Sequence, residues 1–190
     1  MRPTPSLITQ LQNGAQLWAS GTFRGFEDWV AEREIEFVVN LLGRRVVEPM
    51  AEWEQWDMNG GTHQEVEWLD ALMRVVTVLT TALYSAKHVL VHCQHGLRRT
   101  GSLIAFWLAL GLVSQEGVTD IHGWHDKLSE AWRTWALGRD LRQATADDRR
   151  GRDYEHESWN AVLEFFGAMD VDIVRQMAED LPWEVCYAIM

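Results

Sequence analysis

The sequence predicts an α/β protein: a central, mostly parallel β-sheet flanked by helices, followed by a helical C-terminal part. Three observations predict it. Short apolar runs alternate with amphipathic stretches through the N-terminal half, the pattern of a sheet with helices packed on its faces. The run from Ile35 to Leu42 is almost continuously apolar and rich in β-branched residues, as expected of a strand covered on both sides. Finally, the apolar run Val89-Leu90-Val91 precedes the loop His92–Gly101, and Leu103-Ile104-Ala105-Phe106-Trp107-Leu108 follows it. That order reads as strand, tight loop, helix.

Taken along the chain, residues 1–14 form a polar, proline-bearing arm, and residues 15–190 form one domain. Within that domain 15–115 carry the α/β pattern and 116–190 form a helical extension. Leu17–Ser20 reads as a strand closed by Gly21. Phe26–Arg33 has helical spacing, with Glu27 and Asp28 in the first turn where the helix dipole favours anions. The strand at 35–42 stops at Gly43. Val46–Thr62, with Pro49, Asn59, Gly60 and Gly61, reads as a loop ending in a turn. Gln64–Ala86 carries apolar residues at 66, 69, 73, 76, 79 and 83, a long amphipathic helix. His88–Val91 is a buried strand. Beyond Gly117 only helical patterns remain, with a charged, flexible-looking segment at 146–157.

The composition, 47% hydrophobic and 24% charged, is that of an ordinary globular protein. The two cysteines, Cys93 and Cys186, are too few for a disulfide framework. The start of the chain has no signal-peptide core, and the longest near-apolar stretch is about half a membrane span. These features predict a cytoplasmic or nuclear protein with no membrane partner. A net charge of −11 opposes nonspecific attraction to nucleic acid. The basic pairs Arg44-Arg45, Arg98-Arg99 and Arg149-Arg150 are the local exceptions.

The loop at 92–101 carries the chemistry. A cysteine is followed after five residues by an arginine, a hydroxyl residue and a glycine. Thiolates are the nucleophilic form of cysteine, and a helix N-terminus with a nearby cation favours them. Cys93 has both neighbours: a helix beginning near Thr100, and Arg99. The loop residues Gln94, His95, Gly96, Leu97 and Arg98 can curl their N–H groups inward around an oxyanion, with Gly96 allowing the turn and His92 ordering it. The planar fork of Arg99 suits two phosphate oxygens at once. Such parts favour phosphoryl transfer to sulfur, with a cysteinyl-phosphate formed and then hydrolysed. Thr100 is placed to hydrogen-bond the departing thiolate. No metal or other cofactor is expected. The His122/His125 pair lacks further ligands and reads as structural.

His92–Gly101 resembles the HC-x5-R-[ST] loop of the protein tyrosine phosphatase superfamily. The layout of residues 15–115, including Val38-Val39-Asn40-Leu41, resembles its dual-specificity branch. The resemblance implies that Cys93 is the nucleophile, Arg99 the phosphate-binding residue and Thr100 the hydroxyl of the second step. It also implies a general acid on the loop before the long helix. That loop holds Glu48, Glu52, Glu54 and Asp57. Asp57, the one aspartate, is the leading candidate, with Glu52 or Glu54, or no carboxylate acid at all, as the alternatives; Trp56-Asp57 resembles the Trp-Pro-Asp loop of tyrosine-specific phosphatases without its proline.

The expected function is therefore hydrolysis of phosphate monoesters on a phosphorylated protein, phosphotyrosine above all, with phosphoserine and phosphothreonine as further targets. Two alternatives stay open. His95-Gly96 resembles the loop of the branch that removes the terminal phosphate from RNA 5′-triphosphates, although Arg98 stands where that branch has Asn. A loop of this shape is also compatible with phosphate capture without turnover. Of the eleven tryptophans, Trp124, Trp132, Trp135 and Trp159 are expected in the core. Cys186 reads as an inert thiol, with oxidative pairing to Cys93 as its alternative role. The sequence leaves the oligomeric state undetermined.

Overall fold

Stretches that are too short or too polar to announce themselves turn out to complete the sheet. In a computed structural model, described for residues 5–42, 52–55, 65–96, 98–138, 159–160, 162–181 and 183, the chain is α/β with a mostly parallel sheet. Its strands are β1 (Ser6–Gln10), β2 (Gln16–Gly21), β3 (Phe37–Asn40), β4 (Glu52–Gln55) and β5 (Val89–Cys93). The helices are α1 (Phe26–Glu32), α2 (Glu65–Tyr84), α3 (Arg98–Glu116), α4 (Ile121–Gly138) and α5 (Val171–Glu179), with a π-helical turn at Leu163–Gly167. Among the described residues, no helix is long and apolar enough to cross a membrane.

The strands lie in the order β1-β2-β5-β3-β4, with β1 antiparallel to β2 and all other pairs parallel. Two expectations are corrected here. Residues 6–10 belong to the sheet rather than to a free arm, and residues 52–55 form a strand inside the segment read as a loop. Both are edge strands, and edges are commonly short and polar, which discourages pairing with other chains. Glu-Trp-Glu-Gln and Ser-Leu-Ile-Thr-Gln carry little of the apolar signal that marks a central strand. By contrast β5 is buried at every residue, as its central position requires.

The chain divides into two compact units, Met1–Thr100 with Pro182–Met190, and Gly101–Leu181. In the first, α1 covers one face of the sheet. Phe26, Val30 and Ile35 cluster with Val38 of β3 and Leu90 of β5, and Trp18, Phe23 and Trp29 pack against them. The rings of Trp18 and Trp29 meet edge to face at 5.3 Å, while the Arg33 guanidinium lies over Trp18. Helix α2 lies against β3, β4 and β5. Its buried Leu72, Val76, Leu79 and Leu83 recur at the helical period.

Helix α2 stops two residues before its expected end, and the stop has a physical cause. Lys87 N–H donates to Ala82 O and Ala86 N–H to Leu83 O, with Ala86 in the left-handed region at φ 60°. This is a Schellman-type stop with alanine where glycine is usual. The Asn13 amide adds a second closure by donating to the Leu83 and Tyr84 carbonyls. Ala86→Gly relieves roughly 1–2 kcal/mol of left-handed strain against roughly 0.5–1 kcal/mol of added unfolded-state freedom. The expected net gain is about 0.5–1 kcal/mol, read as a higher Tm in thermal unfolding. A lower Tm would contradict it.

In the second unit three of the four tryptophans expected in the core are buried, and Trp159 is half-buried. Trp124 and Trp135 are fully buried and Trp132 nearly so. Trp159 packs on Trp132 with ring centroids 6.2 Å apart. Phe106 stacks on Phe166 at 4.2 Å and meets Trp124 edge to face. The π-helical turn leaves carbonyls that α4 satisfies: Trp124 Nε1 donates to Phe166 O at 2.8 Å, and His125 Nε2 bonds Gly167 O at 2.8 Å. His125 is therefore spent on the backbone. Among the described residues, no cluster of metal-ligating side chains stands here or elsewhere.

Candidate active site

In a parallel sheet the carboxyl ends of the strands share one edge, and ligands gather where strand order reverses. Here β5 lies between β2 and β3, so Cys93, its last residue, sits at that position. The strand runs two residues further than the sequence suggests, placing His92 and Cys93 in the ladder. Gly21 pairs with Cys93 on one side, and Asn40 with His92 on the other. His92 is fully buried, with its ring 4.9 Å from that of Phe26. Cys93 is 3% exposed and forms no disulfide among the described residues. Cys186 lies outside them.

The loop turns sharply after the cysteine, and the turn depends on Gly96. At φ 66° Gly96 is left-handed, and its N–H donates to Cys93 Sγ at 3.2 Å. A Cβ at this position would lie 2.2 Å from Gly21 N and 2.2 Å from the Ser20 carbonyl carbon. Only glycine fits between the sulfur and the end of β2.

Thr22 holds the back of the loop. Its N–H donates to the carbonyls of Cys93 (3.1 Å) and Gln94 (3.2 Å), and its Oγ1 donates to Gln94 O at 3.2 Å. In a trans peptide the N–H points opposite to the carbonyl. Drawing these two carbonyls toward Thr22 turns the N–H groups of Gln94 and His95 the other way. Sequence reasoning missed Thr22. No motif marks it, because its role arises from pairing of β2 with β5.

Helix α3 begins at Arg98, two residues before the expected start, so Arg98, Arg99 and Thr100 form its first turn. That turn holds no acidic residue. Two arginines at the positive end of a helix dipole oppose helix stability, in a chain whose net charge is −11. An anion at this end offsets the conflict, and local conflicts of this kind are typical of functional sites. Arg98 and His95 are exposed, Gln94 and Arg99 are half-buried, and Thr100 is fully buried. The Thr100 hydroxyl makes no hydrogen bond among the described residues. Arg99 Nη1 donates to Leu41 O at 2.9 Å, just past the end of β3.

The structure thus brings His92, Cys93, Gln94, His95, Gly96, Arg98, Arg99 and Thr100 together around the end of β5. Leu97 and the acid candidates Glu48 and Asp57 lie outside the described residues. Glu52 and Glu54 are in β4, whose Gln55 is in register with Asn40. Gly101 has another role: its Cα faces the Trp135 indole, where a Cβ would come within 2.7 Å.

A cysteine at a strand end, a glycine-cornered loop and an arginine in the first turn of the next helix form a fold-level signature as well as a motif. A family model described as protein-tyrosine phosphatase matches residues 26–133, more than half of the chain. The chain belongs to the protein-tyrosine phosphatase family. Among solved structures it is similar to human DUSP28, at 14% identity and TM-score 0.52, covering 85% of this chain and 97% of that one. It is also similar to a mouse putative dual specificity phosphatase, at 13% identity and TM-score 0.51, covering 86% and 91%. A third is OH1 from the Orf virus, a tyrosine phosphatase, at 13% identity and TM-score 0.54, covering 86% and 88%. No curated protein matches by sequence. The family membership makes the chain a phosphatase, and its α/β fold is the one these solved structures share.

Proposed function

We propose that the protein hydrolyses phosphate monoesters on phosphorylated proteins, with phosphotyrosine the leading substrate and phosphoserine and phosphothreonine further ones. The observation that carries this reading is the position of Cys93 Sγ. Cys93 ends the central strand, its Sγ accepts the Gly96 N–H, and the helix that follows the loop gathers positive charge in its first turn. In the first step Sγ attacks phosphorus, an S–P bond forms, and the P–O bond to the leaving oxygen breaks. The loop N–H groups and Arg99 stabilise the equatorial oxygens. In the second step water attacks phosphorus, the S–P bond breaks, and the Thr100 hydroxyl donates to the departing thiolate.

The leaving oxygen takes its proton from Asp57, which then receives the proton of the attacking water. Two features support that assignment. Asp57 is the one aspartate between β3 and α2, and Gln55 ends a strand in register with Asn40, itself in register with His92. Asp57→Ala is expected to slow hydrolysis of a phosphotyrosyl peptide by roughly 10²–10⁴-fold, and much less for an activated aryl phosphate whose leaving group needs no proton. Steady-state kinetics on both substrates check it. Equal losses on both, or none, would remove Asp57 from the mechanism.

The substrate assignment is tested by a panel of phosphopeptides, phosphoinositides and RNA 5′-triphosphate presented to the purified chain. Fastest release of phosphate from phosphotyrosyl peptide supports the proposal. Release from triphosphate-ended RNA without release from peptide would replace it.

A further inference from the structure

Arg99 is held from behind, and the residue that sets the hold is Asn40. Where β3 ends, the Asn40 side-chain Oδ1 accepts the N–H of Leu42 at 3.0 Å, a local turn that diverts the chain from the extended path. Asn40 is fully buried, an environment in which an amide is retained only where its polar atoms are used. Between the two partners of that turn lies Leu41. Its N–H still belongs to the sheet and donates to His92 O at 2.9 Å. Its carbonyl is free of the ladder and accepts Arg99 Nη1 at 2.9 Å across 58 residues of sequence. One residue thus joins the strand that carries the nucleophile to the guanidinium in the first turn of α3.

We infer that Asn40 is a positioning residue for the phosphate-gripping arginine, acting through the Leu41 carbonyl. A guanidinium carries five N–H donors in a rigid plane. Fixing Nη1 on a backbone carbonyl sets that plane and leaves the remaining donors for two oxygens of a phosphate. The hold also lowers the entropy that the arginine loses on gripping its ligand. In the extended path of a continuing strand, the Leu41 carbonyl would be directed along the sheet rather than to Arg99. Asn40 turns it. The inference rests on the reading of Arg99 as the phosphate ligand.

The test is a double-mutant cycle on the full chain, with tungstate as the oxyanion probe, binding followed by calorimetry, and kcat/KM measured on an aryl phosphate. Asn40→Ala is expected to weaken tungstate binding and lower kcat/KM by about tenfold, the scale of a hydrogen bond to a charged group. Asn40→Ser, whose hydroxyl can accept the same N–H, is expected to restore part of both. In the Arg99→Lys background, which lacks the planar fork, Asn40→Ala should cost little more. A fully additive loss in that background would overturn the inference, as would tungstate affinity unchanged in Asn40→Ala. If Asn40→Ala does not fold, the same cycle with Asn40→Ser decides by the same criterion. Wild-type protein that binds no tungstate would instead defeat the proposed function itself.

Discussion

Cys93→Ser is expected to lose turnover of any phosphate monoester by about 10⁴-fold or more, the scale on which removal of a nucleophile acts in covalent catalysis. It should still bind tungstate about as well as the wild type. The two halves of that result have different origins. Turnover needs a sulfur that can both attack phosphorus and leave again, and a serine hydroxyl at the end of β5 does neither step well. Binding needs the N–H groups of the loop, the first turn of α3 and Arg99, and none of these changes with the substitution. The serine oxygen can accept the Gly96 N–H as the sulfur does, so the corner of the loop is kept. Kinetics on an aryl phosphate together with oxyanion calorimetry measure both halves. Retained turnover would remove Cys93 from the mechanism. Lost binding with lost turnover would mean that the sulfur shapes the cradle rather than reacting in it.

The second large effect is expected at Gly96. Alanine there meets two penalties at once. The left-handed conformation at φ 66° costs an L-residue roughly 1–2 kcal/mol. The added Cβ would also stand 2.2 Å from Gly21 N, a backbone atom in a paired strand that cannot swing aside. The loop must move instead, taking the Gly96 N–H off the sulfur and shifting the donors around it. Loss of even one well-placed oxyanion donor costs roughly 10²–10³-fold in rate, so kcat/KM of Gly96→Ala should fall by at least that order. Thermal unfolding should show a lower Tm as well. Activity within twofold of wild type would contradict the tight approach of the loop to β2.

These two residues illustrate how much the sequence alone discloses. The spacing of Cys93, Arg99 and Thr100 between an apolar run and an apolar helix is local information, and it points to an oxyanion cradle without any structure. The helices α1 and α2 and the strand β3 are legible for the same reason, because each carries its own period of apolar residues. The tryptophans at 124, 132 and 135 read as core from helical spacing, and they are buried. The edge strands β1 and β4 are not legible. They are four or five residues long and polar, so their pairing is decided by neighbours rather than by their own pattern.

What surrounds the cysteine is equally hidden in the sequence. Thr22 and Gln94 are 72 residues apart, and Leu41 and Arg99 are 58 apart. No window along the chain contains both partners of either pair. Gly96 looks like an ordinary turn glycine until β2 is folded beside it. The start of α3 is misplaced by two residues because Arg98 and Arg99 are poor company for a helix N-terminus. The conflict that hides the helix start is the one that an anion bound there would offset.

The central claim is a covalent intermediate on one named sulfur, and one measurement addresses it directly. The purified chain is mixed with an aryl phosphate, quenched in acid during turnover, digested and analysed by mass spectrometry. The account predicts a peptide containing Cys93 that carries one phosphoryl group, present in the wild type and missing in Cys93→Ser. Phosphoryl label on any other residue, or rapid turnover with none on Cys93, would contradict it.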